Sequence, residues 1–257
     1  MSASQGNFVW YDLMTTDPKA AEAFYCGVLG WTAKDSGMSG MAYTILSIGE
    51  TMIGGLMPLP PEAAAAGARP MWTGYIGVDD VDAMAARVKQ AGGSVHKGPE
   101  DIPGVGRFAY VADPQGAGFI LFKGASDAQP VEPAKGTPGF PGWRELHASN
   151  WESAFAFYSG LFGWTKDEAM DMGPMGTYQL FVTGGDPVGG MMTKMENMPA
   201  PFWLYYFYVE NVDAAAQRVT GGGGQVLNGP HEVPGGAWIV QCLDPQGGAF
   251  AIVGPKT

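Results

Sequence analysis

The chain is 257 residues long and 46% apolar, with a formal charge of −11 and a pI near 4.6. That length and apolar content can build the core of one large or two ordinary globular domains, and they exclude a disordered or collagen-like chain. The acidity disfavours nucleic acid and anionic membranes as partners, because the field of the protein repels both. No apolar run of about 18 residues is available to span a bilayer, and the opening MSASQGNF carries no signal segment. Cys26 and Cys242 are not a close Cys-x-x-Cys pair, which argues against a disulfide framework or a zinc knuckle. A cytoplasmic, reducing setting is expected.

In chain order, Phe8 to Met14 alternates as a strand. Asp17 can cap the following helix, and Pro18 suits its first turn, where a missing N–H costs nothing. Ala20, Ala21, Phe24, Tyr25, Val28 and Leu29 recur at helical spacing until Gly30 stops them. Met41–Ile48 and Thr51–Met57 are apolar runs broken at Gly49-Glu50 and Gly54-Gly55, a pattern of antiparallel strands. Pro58 to Pro70, PLPPEAAAAGARP, has the composition of a linker. Trp72 to Val78 is then a strand, Asp79 or Asp80 caps a helix carrying Val81, Met84, Ala85 and Val88, and Gly92-Gly93 ends it. Arg107–Ala112 and Gly118–Phe122 are strands separated by Asp113-Pro114-Gln115-Gly116.

The same order then recurs. Trp143, Tyr158 and Trp164 follow Trp10, Tyr25 and Trp31 at one offset (143 − 10, 158 − 25 and 164 − 31 are all 133). The tetrapeptide DPQG returns at Asp244–Gly247, 131 residues after Asp113. Phe202–Val209 is a strand, Asn211 opens a helix, and Gly221–Gly224 ends it. Four βαβββ modules account for nearly the whole chain, an α+β class. The expected division is a first domain over 7–124, a linker over 125–140 and a second domain over 141–254.

The segment D-x-x-A-x-x-FY-x-x-x-LGW, a later strand leading into V-D-D-V and a helix ending in Gly-Gly, and a closing D-P-x-G together resemble the vicinal oxygen chelate superfamily. That group includes glyoxalase I, extradiol dioxygenases, and fosfomycin- and bleomycin-resistance proteins. The resemblance covers both halves. It implies two cup-shaped, mostly antiparallel sheets, and in active members a divalent metal held inside the cup by His, Glu or Gln. A shared fold does not fix the chemistry.

Four positions in each half match such ligands. The first, seven residues before the capping residue, is Trp10 and Trp143. The second, in the strand before V-D-D-V, is Thr73 and Leu204. The third, a Glu after D-P-x-G, falls at Ile120 and Ala251, and the last, again a Glu, falls near Gly54-Gly55 and Gly189-Gly190. A divalent transition metal needs three or four N or O donors, and none of these positions supplies one. No metal and no cofactor is expected. Of the three histidines, His96, His147 and His231, none is matched to a ligand position; His147 shares a strand face with Glu145, and two donors do not make a site.

If Trp10 stands at the family's ligand position, Trp10, Asp12 and Met14 look into one cup and Trp143, Glu145 and His147 into the other. Each cup then holds an aromatic plate and a carboxylate, which either contacts a ligand or is tied down by a backbone N–H, an indole or an Arg such as Arg107. Trp72, Tyr110, Trp203 and Trp238 are the further expected cup residues. The function expected is metal-free binding of a small, partly aromatic molecule by Trp10, Asp12, Trp72, Tyr110, Trp143, Glu145, His147, Trp203 and Trp238. The alternative is a metal-free lyase or isomerase with Asp12 or Glu145 as base, and a metal-dependent glyoxalase or dioxygenase ranks below both. The expected partner is a small molecule, and the four modules can close both cups in a monomer without a second subunit, although the sequence does not exclude a dimer.

Overall fold

A computed structural model describes residues 4–38, 40–126 and 133–256. Residues 127–132 of the expected linker lie outside the described residues. The first module comprises β1 (Phe8–Thr15), α1 (Pro18–Leu29), β2 (Thr32–Asp35), β3 (Thr44–Ile48) and β4 (Thr51–Pro58). A five-residue helix, α2 (Pro61–Ala65), lies within the segment read from composition as linker, with proline at its first turn. The second module is β5 (Met71–Gly77), α3 (Val81–Gln90), β6 (Ser94–Ile102), β7 (Gly106–Ala112) and β8 (Gly118–Gly124).

The third module runs through β9 (Pro141–Ala148), α4 (Trp151–Phe162), β10 (Thr165–Asp171), β11 (Thr177–Val182) and β12 (Pro187–Thr193). The fourth comprises β13 (Phe202–Tyr208), α5 (Val212–Gly221), β14 (Gln225–Glu232), β15 (Trp238–Leu243) and β16 (Ala249–Gly254). Two eight-stranded sheets result, ordered β2-β3-β4-β1-β5-β8-β7-β6 and β10-β11-β12-β9-β13-β16-β15-β14. In every module the first strand runs parallel to the last, and hairpins supply the antiparallel pairs. No helix among the described residues is long and apolar enough to cross a membrane.

The four principal helices start where a side chain can take up an orphan amide. Asp17, Asp80, Asn150 and Asn211 accept the backbone N–H three residues on, at 3.0, 2.9, 2.8 and 2.7 Å. Of the two aspartates offered by the sequence before α3, it is Asp80 that caps. Gly30 and Gly163 end α1 and α4 in the left-handed region, at φ 73° and 75°, where a β-carbon would be strained.

Two compact units cut across the halves. One gathers the second module from Thr73 with the third module, Trp143–Trp203; the other gathers the first module, Tyr11–Trp72, with the fourth from Leu204. In the first of these, Tyr158 stacks on Trp164 at 5.2 Å and Trp164 on Phe181 at 4.6 Å, with Phe119 and Trp203 edge-on or tilted against Tyr158. In the other, Tyr25 stacks on Trp31 at 5.9 Å, and Phe250 and Phe207 complete the cluster. These rings are almost wholly buried, and at 150–250 Å2 each they dominate the hydrophobic stabilisation of either unit.

Candidate functional site

Alternation on β1 and β9 divides two kinds of surface. Leu13, Leu146 and Ala148 are fully buried and belong to the helix-covered core. Asp12, and on β9 Trp143, Glu145 and His147, stand on the opposite face. What fixes the carboxylates there is a tyrosine from the neighbouring hairpin. Tyr43, just before β3, donates its hydroxyl to Asp12 Oδ1 at 2.7 Å. Tyr178, on β11, donates to Glu145 Oε2 at 2.8 Å.

Glycine makes room for both phenols. Gly55 pairs with Asp12 and Gly190 with Glu145 in the parallel ladders. A β-carbon on Gly55 would overlap the Tyr43 hydroxyl, and one on Gly190 would overlap the Tyr178 ring. Where the resemblance led one to look for a ligating glutamate, each half has a glycine whose missing side chain is replaced by a neighbouring tyrosine. Tyr43 and Tyr178 were not among the site residues expected from sequence. The available signal was spacing, since 178 − 43 and 190 − 55 are both 135.

The second half extends this pair into a longer chain. The Trp143 indole N–H donates to the Tyr178 oxygen at 2.7 Å, and Tyr178 in turn donates to Glu145. Glu145 Oε1 lies 2.8 Å from His147 Nε2, an electrostatic contact off the line of a good hydrogen bond. The imidazole stacks on Phe202 at 4.9 Å and 13°. Glu145 and His147 are only 6% and 3% exposed, so little solvent screens the contact. The position in β1 that matches His147 is Met14 (147 − 133), so the first half has no counterpart.

Other expected site residues fall elsewhere. Trp72 and Trp203 are buried in the helix-facing cores, where their indoles donate to Tyr25 at 2.9 Å and to Tyr158 at 3.1 Å. On the strands carrying them, alternation turns Thr73 and Leu204 to the other face. Arg107 ties neither carboxylate, because it pairs with Asp82 at 2.6 Å and Asp101 at 2.8 Å. Tyr110 lies against His96 at 5.4 Å, and burial raises the pKa of its hydroxyl. Trp238 is half-buried under the Lys256 ammonium at 4.4 Å. Trp10 is half-buried on β1.

A second pair of buried acids serves the fold. Asp113 and Asp244, of the repeated DPQG turns, each accept two backbone amides of their own turn. Each also receives a phenol, Tyr158 to Asp113 at 3.2 Å and Tyr25 to Asp244 at 3.0 Å. Burial raises the pKa of both acids, and burial followed by the Asp244 charge raises that of Tyr25 well above 10.0.

Among the described residues no group of three or more His, Cys, Asp or Glu is placed to hold a metal ion. The donor set at the family's ligand positions, indoles, aliphatic side chains, glycines and one threonine, does not fit such an ion.

Comparison with known proteins agrees with this architecture. In Mycobacterium tuberculosis, CFP32, by name a candidate glyoxylase, is 33% identical over 254 residues, covering 98% of this chain and 95% of its own length. The anthracycline biosynthesis protein DnrV of Streptomyces peucetius is 34% identical over 260 residues, covering 95% and 91%. The crystal structure of a Mn(II)-bound glyoxalase from Novosphingobium aromaticivorans superposes with a TM-score of 0.70 at 16% identity, over 98% of this chain and 83% of that one. A 2,2',3-trihydroxybiphenyl 1,2-dioxygenase from Sphingomonas wittichii gives 0.69 at 15%, over 96% and 89%. At such identities the two structures speak for the fold alone. The family model for the Glyoxalase/Bleomycin resistance protein/Dioxygenase superfamily matches residues 7–121 and 144–252, and the chain belongs to that superfamily.

Proposed function

We propose that this protein binds a small, partly aromatic molecule directly through side chains on the sheet faces turned away from the helices, with no metal between protein and ligand. The observation that carries this reading is the phenol–carboxylate pair found in both halves, Tyr43–Asp12 and Tyr178–Glu145, beside glycines where the family's ligating glutamate would stand. A carboxylate held by a phenol presents hydrogen-bonding groups, and Trp10, Trp143, Tyr110 and Trp238 offer rings for stacking. The name of the relative DnrV, an anthracycline biosynthesis protein, supports a flat polycyclic ligand. The acidic charge and two free cysteines are in keeping with a cytoplasmic location.

The test is tryptophan fluorescence during titration with 1,4-dihydroxyanthraquinone in the presence of EDTA. Saturable quenching that is weakened by Trp143→Phe is the expected result. Linear, non-saturating quenching identical in the variant is the result that defeats it.

A second reading, a metal-free lyase or isomerase with Asp12 or Glu145 as base, draws support from the buried contact between Glu145 and His147 and from the name of CFP32. It requires chelator-resistant turnover that disappears in the Asp12→Asn, Glu145→Gln double variant. Turnover unchanged in that variant would dispose of it.

A further inference from the structure

We infer that the second half carries a hydrogen-bond acceptor for a ligand hydroxyl, His147 Nδ1, and that the ligand is therefore a phenol or an enol rather than an aromatic hydrocarbon or ether. This rests on the binding reading above and narrows it to one half and one chemical class.

Three observations lead here. His147 is 3% exposed, yet among the described residues neither ring nitrogen makes a hydrogen bond, and for Nδ1, which has no carboxylate beside it, a buried polar atom left unpaired is costly enough to call for an explanation. The other ring nitrogen, Nε2, sits 2.8 Å from Glu145 Oε1. A carboxylate there favours the proton on Nε2, which leaves the Nδ1 lone pair as acceptor. Glu145 is itself anchored by Tyr178, and Tyr178 by Trp143, so the imidazole is held against a carboxyl group fixed in place.

The surroundings indicate the ligand's class. Phe202 covers one face of the imidazole almost in parallel, and Met192 is the residue paired with His147 on β12. A flat, apolar body suits such neighbours, and Nδ1 asks it for one donor. The first half has Met14 paired with Met57 at the matching positions. Thioethers are weak acceptors, so the first half makes no such demand.

The experiment compares 4-nitrophenol with 4-nitroanisole, its methyl ether, which has lost the donor. Calorimetric titration of the wild type is expected to show about tenfold tighter binding of the phenol. His147→Met, which installs the residue of the first half, should bring the two affinities together while circular dichroism and melting stay near wild type. A measurement on the wild type alone covers the event that this variant misfolds. The chain has three histidines, and His96 and His231 are exposed, so 15N spectra of the labelled imidazoles isolate the buried ring. Its Nδ1 resonance should lie at the unprotonated end and move on addition of 4-nitrophenol but not of 4-nitroanisole. Equal binding of both probes, or an unmoved Nδ1 resonance, overturns the assignment of His147 and leaves general aromatic binding standing. Absence of binding by these probes and by 1,4-dihydroxyanthraquinone overturns both readings together.

Discussion

Tyr25 donates its hydroxyl to Asp244 across 219 residues of sequence, while Trp72 donates its indole N–H to the same phenol. The equivalent chain in the other compact unit is Trp203 to Tyr158 to Asp113. Two motifs that mark the superfamily in sequence, the FY pair of the helix and the D-P-x-G turn, are thus partners in space. They join the first module to the fourth and the third to the second.

Tyr25→Phe leaves the Trp72 N–H and one Asp244 oxygen unpaired in a buried setting, as Tyr158→Phe does for Trp203 and Asp113. Each should cost about 1–3 kcal/mol of unfolding free energy. Urea denaturation followed by fluorescence would show it, and a loss below a few tenths would mean that the chain contributes nothing net.

Burial holds the Asp244 carboxyl above its ordinary value of 3.8. The folded state therefore keeps the proton over a range where the unfolded state has released it. Stability from this group is fully present below the unfolded value and is lost as pH rises through the raised folded one. Asp244→Asn keeps an oxygen for the turn amides and removes the titration. Compared by urea denaturation at pH 4 and pH 7, the wild type should lose stability relative to the variant at the higher pH; a constant difference would refute the shift.

Gly190 and Tyr178 compete for one space. Gly190→Ala alone should destabilise by about 1–3 kcal/mol through overpacking, whereas in a Tyr178→Ala background the same change should be close to neutral. A double-mutant cycle measures that coupling, and additive costs would place the strain elsewhere.

Trp72→Phe and Trp203→Phe should lower the melting temperature while leaving the ligand-induced quenching curve in place, since both indoles lie in helix-facing cores. Trp143→Phe should do the reverse. Quenching lost with Trp203 rather than Trp143 would put the ligand on the wrong side of the sheet.

Dialysis against EDTA should change neither melting nor probe binding, because the residues at the family's ligand positions offer too few donors. Elemental analysis of protein purified without added metal is the check, and one equivalent of bound metal would contradict it.

The local features were legible from the sequence because they depend on near neighbours. Helix caps at Asp17, Asn150 and Asn211 and the glycine stops are decided within four residues, and the duplication is arithmetic. Trp72 and Trp203, expected from sequence to line the cups, lie within buried aromatic clusters, a placement that alternation alone does not reveal. Both sit in strands buried on each side, where alternation of apolar residues does not distinguish the faces. The hydrogen bonds to Tyr25 and Tyr158 make the distinction, and those depend on residues 47 and 45 positions away.

The sequence by itself determined the superfamily, the four modules and the lack of the usual ligating side chains at Trp10, Trp143, Gly55 and Gly190. Only the tertiary structure decided what stands in their place. A phenol can fill the space over a glycine only if a particular hairpin register brings Tyr43 over Gly55 and Tyr178 over Gly190, and register is a property of paired strands rather than of either strand alone. The same holds for the modules: the burial of Asp113 and Asp244 against tyrosines from the other half follows from packing, in which distance along the chain has no part.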